Sequence, residues 1–581
     1  MFDKLVKILL VTLILISIFL RFYKLGSVPQ GLNIDEASYG YDAYSLLKTG
    51  KDQWGNAWPI TLKSFGDYKP AALSYAMIPF VHSIGLNTTS TRLPSAIAGL
   101  LILPILFATL QTLHKSTKTN LTLTLLFSLS PWFYGISRLF YEPTIGLLFF
   151  SMGLLNVFRH YQNKASNYLL FAFIFFAISG YWYVAIRITS ALVVIYIFLT
   201  EFYKNKTVSK SILLAGLIFF VLVTPLLFTT FSRDGLTRLR QESIGQDYAN
   251  SLYINENRSM CYLSSNKNIL AGKLCSIWWN KPVARLEHIG ESMLYQISPN
   301  YLFKDPTQPD ILAKNTGPYI WILVPLYFFG WYVVFNRLFS KKKNQDSQAL
   351  IILVVILLGN LPAAIAGSPM IHRNVIGIYM AFLLVAYGWW YLFGMIKNKL
   401  SKIAICLAVL SIALFQTSQF LIYYHAVYTK QDPSLWRYDS SQIFDYAISQ
   451  EDNYDAIWFQ DFEDAPLYYA FHKSLSPSIF QKDVVRQDMK QDGWVHNIQV
   501  GKVRSTGLSL HELACQHELN SLTTIELVVT PNRGNIRKSA IFQTMEFTKV
   551  HVLHEAYSLD IIIDSLELGG WNPEKDCQLM E

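Results

Sequence analysis

The sequence predicts a polytopic α-helical membrane protein of about eleven transmembrane helices, with a small extracytoplasmic α/β domain at its C-terminus. Three observations predict this. Hydrophobic residues make up 52% of the 581 positions and charged residues only 15%, with a mean hydropathy of +0.27; a soluble chain carries about 25% charge. Apolar segments recur near 5–22, 91–113, 119–136, 143–158, 167–183, 187–203, 211–231, 318–337, 349–367, 374–396 and 402–424. Aromatic residues reach 15%, with 34 Tyr and 14 Trp, as expected where many helix ends meet lipid headgroups.

The net charge of +9 is a topology signal and not a nucleic-acid signal. Lys115 and Lys118, Arg159 and Lys164, Lys204, Lys206 and Lys210, Arg337 with Lys341 to Lys343, and Lys397, Lys399 and Lys402 all fall in alternate loops. Basic loops face the cytoplasm. This fixes the expectation of a multi-pass plasma-membrane protein with its N-terminus cytoplasmic and its C-terminus extracytoplasmic. No basic run interleaved with aromatics marks a nucleic-acid partner. The first segment carries Lys4 and Lys7 and an apolar run to Leu20, without a small-x-small cleavage site before Gly26. It therefore reads as an uncleaved first helix.

The organisation expected is a transmembrane domain over 1–425 and an extracytoplasmic domain over 426–581. Outer loops at 24–90 and 232–316 interrupt the first. The C-terminal part combines a helix-like stretch, 436–450, with strand-like runs DAIWFQ, TIELVVT and LDIIID. It has no metal-spacing cluster and no Gly-rich phosphate loop, so it reads as a lid or recognition module. Cys261 with Cys275, and Cys515 with Cys577, share outer, disulfide-permissive segments and are candidate pairs; Cys406 lies in an apolar helix.

The first outer loop carries the chemistry. Asn33-Ile34-Asp35-Glu36 reads as a helix start, with Asn33 as N-cap and Glu36 three positions on, a capping box. The helix is expected to stop at Gly50. Asp35, Tyr39 and Asp42 then share one face, while Ala37, Tyr41, Tyr44 and Leu47 form an aromatic face suited to the membrane interface. Acidic residues in a first turn are ordinary, since the helix dipole favours them, so this feature alone does not establish a site. At the loop's end, Phe65-Gly66-Asp67-Tyr68-Lys69-Pro70 is a turn leading into a second interfacial helix over Ala71 to Ile84, which places Lys69 at a helix N-terminus. A bound anion relieves a cation there.

Two short outer turns add cations. SRLFYEP holds Arg138 and Glu142, and GSPMIHRN holds His372 and Arg373. A cation at a helix end snorkels at little cost, but several beside an acidic stretch suit an anionic headgroup. Carboxylates, cations and apolar walls on one face fit sugar transfer from a polyprenyl-phosphate carrier to a hydroxyl acceptor. Asp35 is the expected general base. Lys69, Arg138, Arg373 and His372 are expected at the lipid phosphate, where they neutralise the leaving group. Asp67, Tyr68, Tyr39 and Glu142 are candidates for the substrate site. Direct displacement with one base predicts inversion at the anomeric carbon.

The stretches DEASYGYDAYSLLKTGKDQWG, SFGDYKP, RLPSAIAGLL (92–101) and SPWFYGISRLFYEP (130–143), with WRYDSSQIFDYAIS and YDAIWFQDFEDAPLYYAFH near the C-terminus, carry a resemblance over most of the chain. The chain resembles GT-C membrane glycosyltransferases, in particular bacterial members of the dolichyl-phosphate-mannose protein mannosyltransferase family and the aminoarabinose transferases of lipid A. The resemblance implies a GT-C-like fold. It assigns Asp35 as catalytic base with Glu36 as its neighbour, and Lys69 and Arg138 as contacts of the lipid phosphate. Some relatives place a divalent metal near the carboxylate matching Asp67; the sequence offers that aspartate no His partner, so no obligatory cofactor is expected. The implied partners are a polyprenyl-phosphate-linked sugar, a hydroxyl-bearing acceptor and membrane lipid. A transporter or flippase of lipid-linked sugars is the alternative, but it calls for ionisable groups within the spans and internal repeats, and these spans are almost free of Asp, Glu, Lys and Arg. A ligand-binding sensor leaves the charged first loop unexplained.

Overall fold

The structure is a computed structural model. It describes the chain except residues 1, 30, 67, 140, 164, 166, 206–208, 233–247, 265–268, 305–315, 340–346, 368, 428–439, 455, 461, 463, 490–493, 508–525, 533–545, 548–549, 553–558, 564–565 and 568–581. Two compact units are present, one built from Met1–Tyr23 and Pro94–Tyr423, the other from Lys24–Leu93 and Tyr424–Glu581.

The first unit is helical. Long apolar runs satisfy their backbone polar groups internally, which is what a bilayer demands. Among the described residues, seven helices are long and apolar enough to cross a membrane: Thr88–Leu113, Val184–Tyr203, Lys210–Thr230, Trp321–Phe339, Ser347–Ile365, Val375–Met395 and Lys399–Ala426. The segment expected as one span near 119–136 is two helices, Thr117–Ser128 and Pro131–Ile136. Pro131 lacks the N–H that would continue the first helix and starts the second instead. The most buried span, Val375–Met395, runs against Val324–Phe339 at very short range: a Cβ on Gly388 would stand 1.9 Å from the Leu326 carbonyl oxygen. Glycine is what permits that approach. Phe127 packs edge-on against Tyr379 and Phe382 of this helix and against Trp132, and at a tilt against Phe133. The helices Tyr248–Ser264 and Ile269–Trp278 of the long loop are joined by a Cys261–Cys275 disulfide. Cys515 and Cys577 lie outside the described residues.

The second unit begins with α1 (Ile34–Thr49), followed by the antiparallel pair β1 (Thr61–Lys63) and β2 (Tyr68–Pro70), then α2 (Ala72–Ile84). Its C-terminal part is a seven-stranded mixed sheet. The strands are β3 (Ala456–Gln460), β4 (Val485–Met489), β5 (Trp494–Val500), β6 (Val503–Thr506), β7 (Glu526–Asn532), β9 (Val550–Val552) and β10 (Leu559–Ile563). A two-residue pair, β8 (Glu546–Phe547) and β11 (Leu566–Glu567), lies apart from it. The sheet order is β4-β5-β6-β3-β7-β10-β9, with β3 parallel to both neighbours. The three strand-like runs of the sequence form β3, β7 and β10.

One core unites the loop and the sheet. Leu32, Ala37, Tyr41 and Phe65 are buried with Phe444, Phe459, Tyr468, Phe471 and Phe480. The aromatic face of α1, expected at the membrane interface, is therefore covered by protein. Tyr41 and Tyr44 donate their hydroxyls to the carbonyls of Leu475 and Ser474, so their polar tips are satisfied without headgroups. Gly40 makes the packing feasible, since a Cβ there would meet Phe471 at 2.7 Å.

Candidate active site

Helix α1 forms where its caps dictate. Asn33 Oδ1 accepts from the Asp35 N–H, Glu36 Oε2 accepts from the Asn33 N–H, and Gly50 closes the helix with φ 69°. This cap aims two neighbouring carboxylates differently. Asp35 is half-exposed, its side chain 49% accessible, and an oxygen stands 3.8 Å from Lys69 Nζ. Glu36 is fully buried against Arg92, with Nε and Nη2 donating to its two oxygens at 2.7 and 2.9 Å.

Lys69 reaches Asp35 by a route the sequence did not reveal. It lies in β2, paired with Leu62, and helix α2 starts only at Ala72. Strand pairing, not a helix dipole, sets its direction. Its ammonium is 6% exposed, donates to Ser38 Oγ at 2.8 Å and sits 3.9 Å from the centre of the Tyr39 ring, with Phe65 at 5.9 Å. Asp35, Tyr39 and Lys69 are thus brought together, with Tyr68 adjacent in β2. Asp67 lies outside the described residues. Among the described residues, no three His, Cys, Asp or Glu side chains gather as metal ligands.

Arg138, Glu142, His372 and Arg373 belong to the first unit. Arg138 is buried and donates through Nη1 to the carbonyls of Leu20 and Arg21, capping the helix Phe2–Phe22 at its C-terminus. Glu142 opens the helix Glu142–Asn163, where a carboxylate suits the dipole. His372 and Arg373 occupy the short turn Ile371–Arg373, with the imidazole edge-on to Tyr183.

Ser38 and Gln53 also shape this site and were not singled out in the sequence. Gln53 donates its N–H and Nε2 to the two oxygens of Asp42 at 2.9 and 3.0 Å. Burial pushes the Asp42 carboxyl up to about 7, against the pull of Lys69 and of the Gln53 hydrogen bonds. The ordinary value is 3.8, so between these pH values the native state holds a proton that the unfolded chain has released. This contribution to stability is lost as pH rises through 7. The purified chain is expected to melt at a lower temperature at pH 8 than at pH 6, with the gap shrinking in Asp42→Asn. An unchanged gap in that variant would refute the assignment.

Comparison with known proteins supports the same architecture. Residues 69–228 match the family model described as dolichyl-phosphate-mannose-protein mannosyltransferase. The chain is similar to ArnT from Cupriavidus metallidurans bound to undecaprenyl phosphate, at 10% identity and a TM-score of 0.50, covering 97% of this chain and 99% of that one. The fold is that of the GT-C membrane glycosyltransferases. The chain is also similar to the Archaeoglobus fulgidus oligosaccharyltransferase tethered with an acceptor peptide, at 11% identity and a TM-score of 0.47, covering 81% of this chain and 63% of that one. No curated protein matches it in sequence.

Proposed function

We propose that this chain is an inverting glycosyltransferase of the plasma membrane, moving a sugar from a polyprenyl-phosphate carrier to a hydroxyl acceptor at the outer face. The observation that carries this reading is the Asp35–Lys69 pair, an accessible carboxylate beside a buried, aromatic-walled ammonium. Asp35 takes the proton of the acceptor hydroxyl as its oxygen bonds to the anomeric carbon. The bond from that carbon to the phosphate oxygen breaks in the same step. The electron pair leaves on the phosphate, which is stable as an anion and needs no acid; Lys69 offsets the growing charge. Glu36, committed to Arg92, serves the site by holding the helix start. Undecaprenyl phosphate, the ligand of the ArnT structure, is the first carrier to test.

The chain in lipid nanodiscs, supplied with undecaprenyl-phosphate-linked hexoses or pentoses and a cell-envelope extract, is expected to release undecaprenyl phosphate only when acceptor is present. In proteoliposomes, movement of the intact carrier across the bilayer with no release would overturn the proposal in favour of transport.

A further inference from the structure

The Lys69 ammonium needs a cause for staying where it is. Lysine has a long flexible stem and three equivalent donors, and an exposed partner 3.8 Å away holds it weakly. We propose that Ser38, Gln53 and Asp42 are positioning residues which fix Lys69 beside Asp35, and that Arg486 anchors this relay from the C-terminal sheet. This rests on the reading of Lys69 as the group that meets the lipid phosphate.

Hydrogen-bond inventory makes the relay directional. Above pH 7 Asp42 is ionised and only accepts, so there the side-chain contact from residue 53 to Asp42 Oδ2 must come from Nε2 and not from the amide oxygen. The second hydrogen on Nε2 then points at Ser38 Oγ, 2.9 Å away. Ser38 accepts there and accepts again from Lys69 at 2.8 Å. Both lone pairs of the hydroxyl are used, and the ammonium has one lodging. Ser38 and Asp42 are fully buried and Gln53 nearly so, which removes water as a substitute partner.

Gln53 is itself held from 433 residues away. Arg486 of β4 donates Nη2 to the Gln53 carbonyl at 2.9 Å and stacks 3.8 Å over the Trp54 ring. Its Nε donates to Asn497 Oδ1 at 3.1 Å. Asn497 in turn donates through its N–H and Nδ2 to Asp464 Oδ1 at 2.7 and 2.8 Å, and the His496 Nδ1 meets Asp464 Oδ2 at 2.8 Å. The guanidinium is therefore locked in a fork, a geometry lysine cannot supply. The polar turn at residues 51–57 thus has a purpose: it carries the amide that holds Ser38 and Lys69.

The test measures undecaprenyl phosphate binding to the full chain in nanodiscs. Lys69→Ala is expected to weaken it by about tenfold or more. Ser38→Ala and Gln53→Leu are expected to weaken it about 3- to 10-fold, and Gln53→Leu is expected to add nothing in the Lys69→Ala background. Full additivity, or unchanged binding in both Ser38→Ala and Gln53→Leu beside a weakened Lys69→Ala, overturns the relay. Ser38→Ala deletes a single oxygen and keeps the test open if Gln53→Leu does not fold. If Lys69→Ala binds normally, the phosphate reading fails instead, and the relay is judged by acylation of the Lys69 amine followed by mass spectrometry. Labelling is expected to rise several-fold in Ser38→Ala and in Arg486→Ala, with Arg486→Lys failing to restore it. Labelling at the unaltered level in all three overturns the proposal.

Discussion

Asp35→Asn is expected to lower the rate of sugar transfer by about 10²- to 10⁴-fold, the range a positioned general base contributes. The fold should survive the change. The Asp35 side chain is half in solvent, and the cap of its helix is built by Asn33 and Glu36. Binding of the carrier should weaken little, because the carboxylate is aimed at the acceptor proton and not at the phosphate. The loss should therefore fall on kcat with KM nearly constant, the signature of an interaction made in the transition state. Asp35→Glu keeps the charge but advances the oxygens by one methylene, and it is expected to fall between the two. Near-normal turnover in Asp35→Asn, with inactive variants at Glu142 instead, would move the base to the first unit.

What the sequence disclosed about this site was what is local in sequence. The capping box at Asn33 and Glu36 and the stop at Gly50 lie within a few residues of one another, and the helix appears where they put it. Apolar runs of spanning length and the alternating strands of the C-terminal part are likewise short-range patterns. The partners of the charged groups are not. Glu36 meets Arg92 across 56 residues, and Gln53 meets Arg486 across 433. No spacing rule encodes such a meeting. Lys69 shows the same limit in miniature: Pro70 suggested a helix start, whereas pairing with residues 61–63 extends the backbone and turns the side chain towards Ser38. The aromatic face of α1 was legible as apolar, but periodicity does not distinguish lipid from a protein core as its cover.

Breaking the Glu36–Arg92 pair is expected to cost this unit about 3–5 kcal/mol, the penalty of leaving one buried charge without its partner. Both side chains are 0% exposed. Arg92 also donates to the carbonyls of Leu25, Pro29 and Gly31 at 3.1, 2.9 and 3.0 Å. One guanidinium thus ties the segment entering the loop to the start of the helix that carries Asp35. Arg92→Ala leaves a buried carboxylate without its cation and removes the guanidinium donor from three carbonyls, so it should lower the melting temperature more than Glu36→Gln, which keeps a polar group of the same shape. Replacing both by apolar residues should cost less than Arg92→Ala alone, because no unpaired charge remains. Activity is expected to track folded fraction in this series, since Glu36 is sealed from any acceptor. A Glu36→Gln protein that melts normally yet transfers no sugar would show that the carboxylate acts on the reaction, and that Asp35 shares its office with its neighbour.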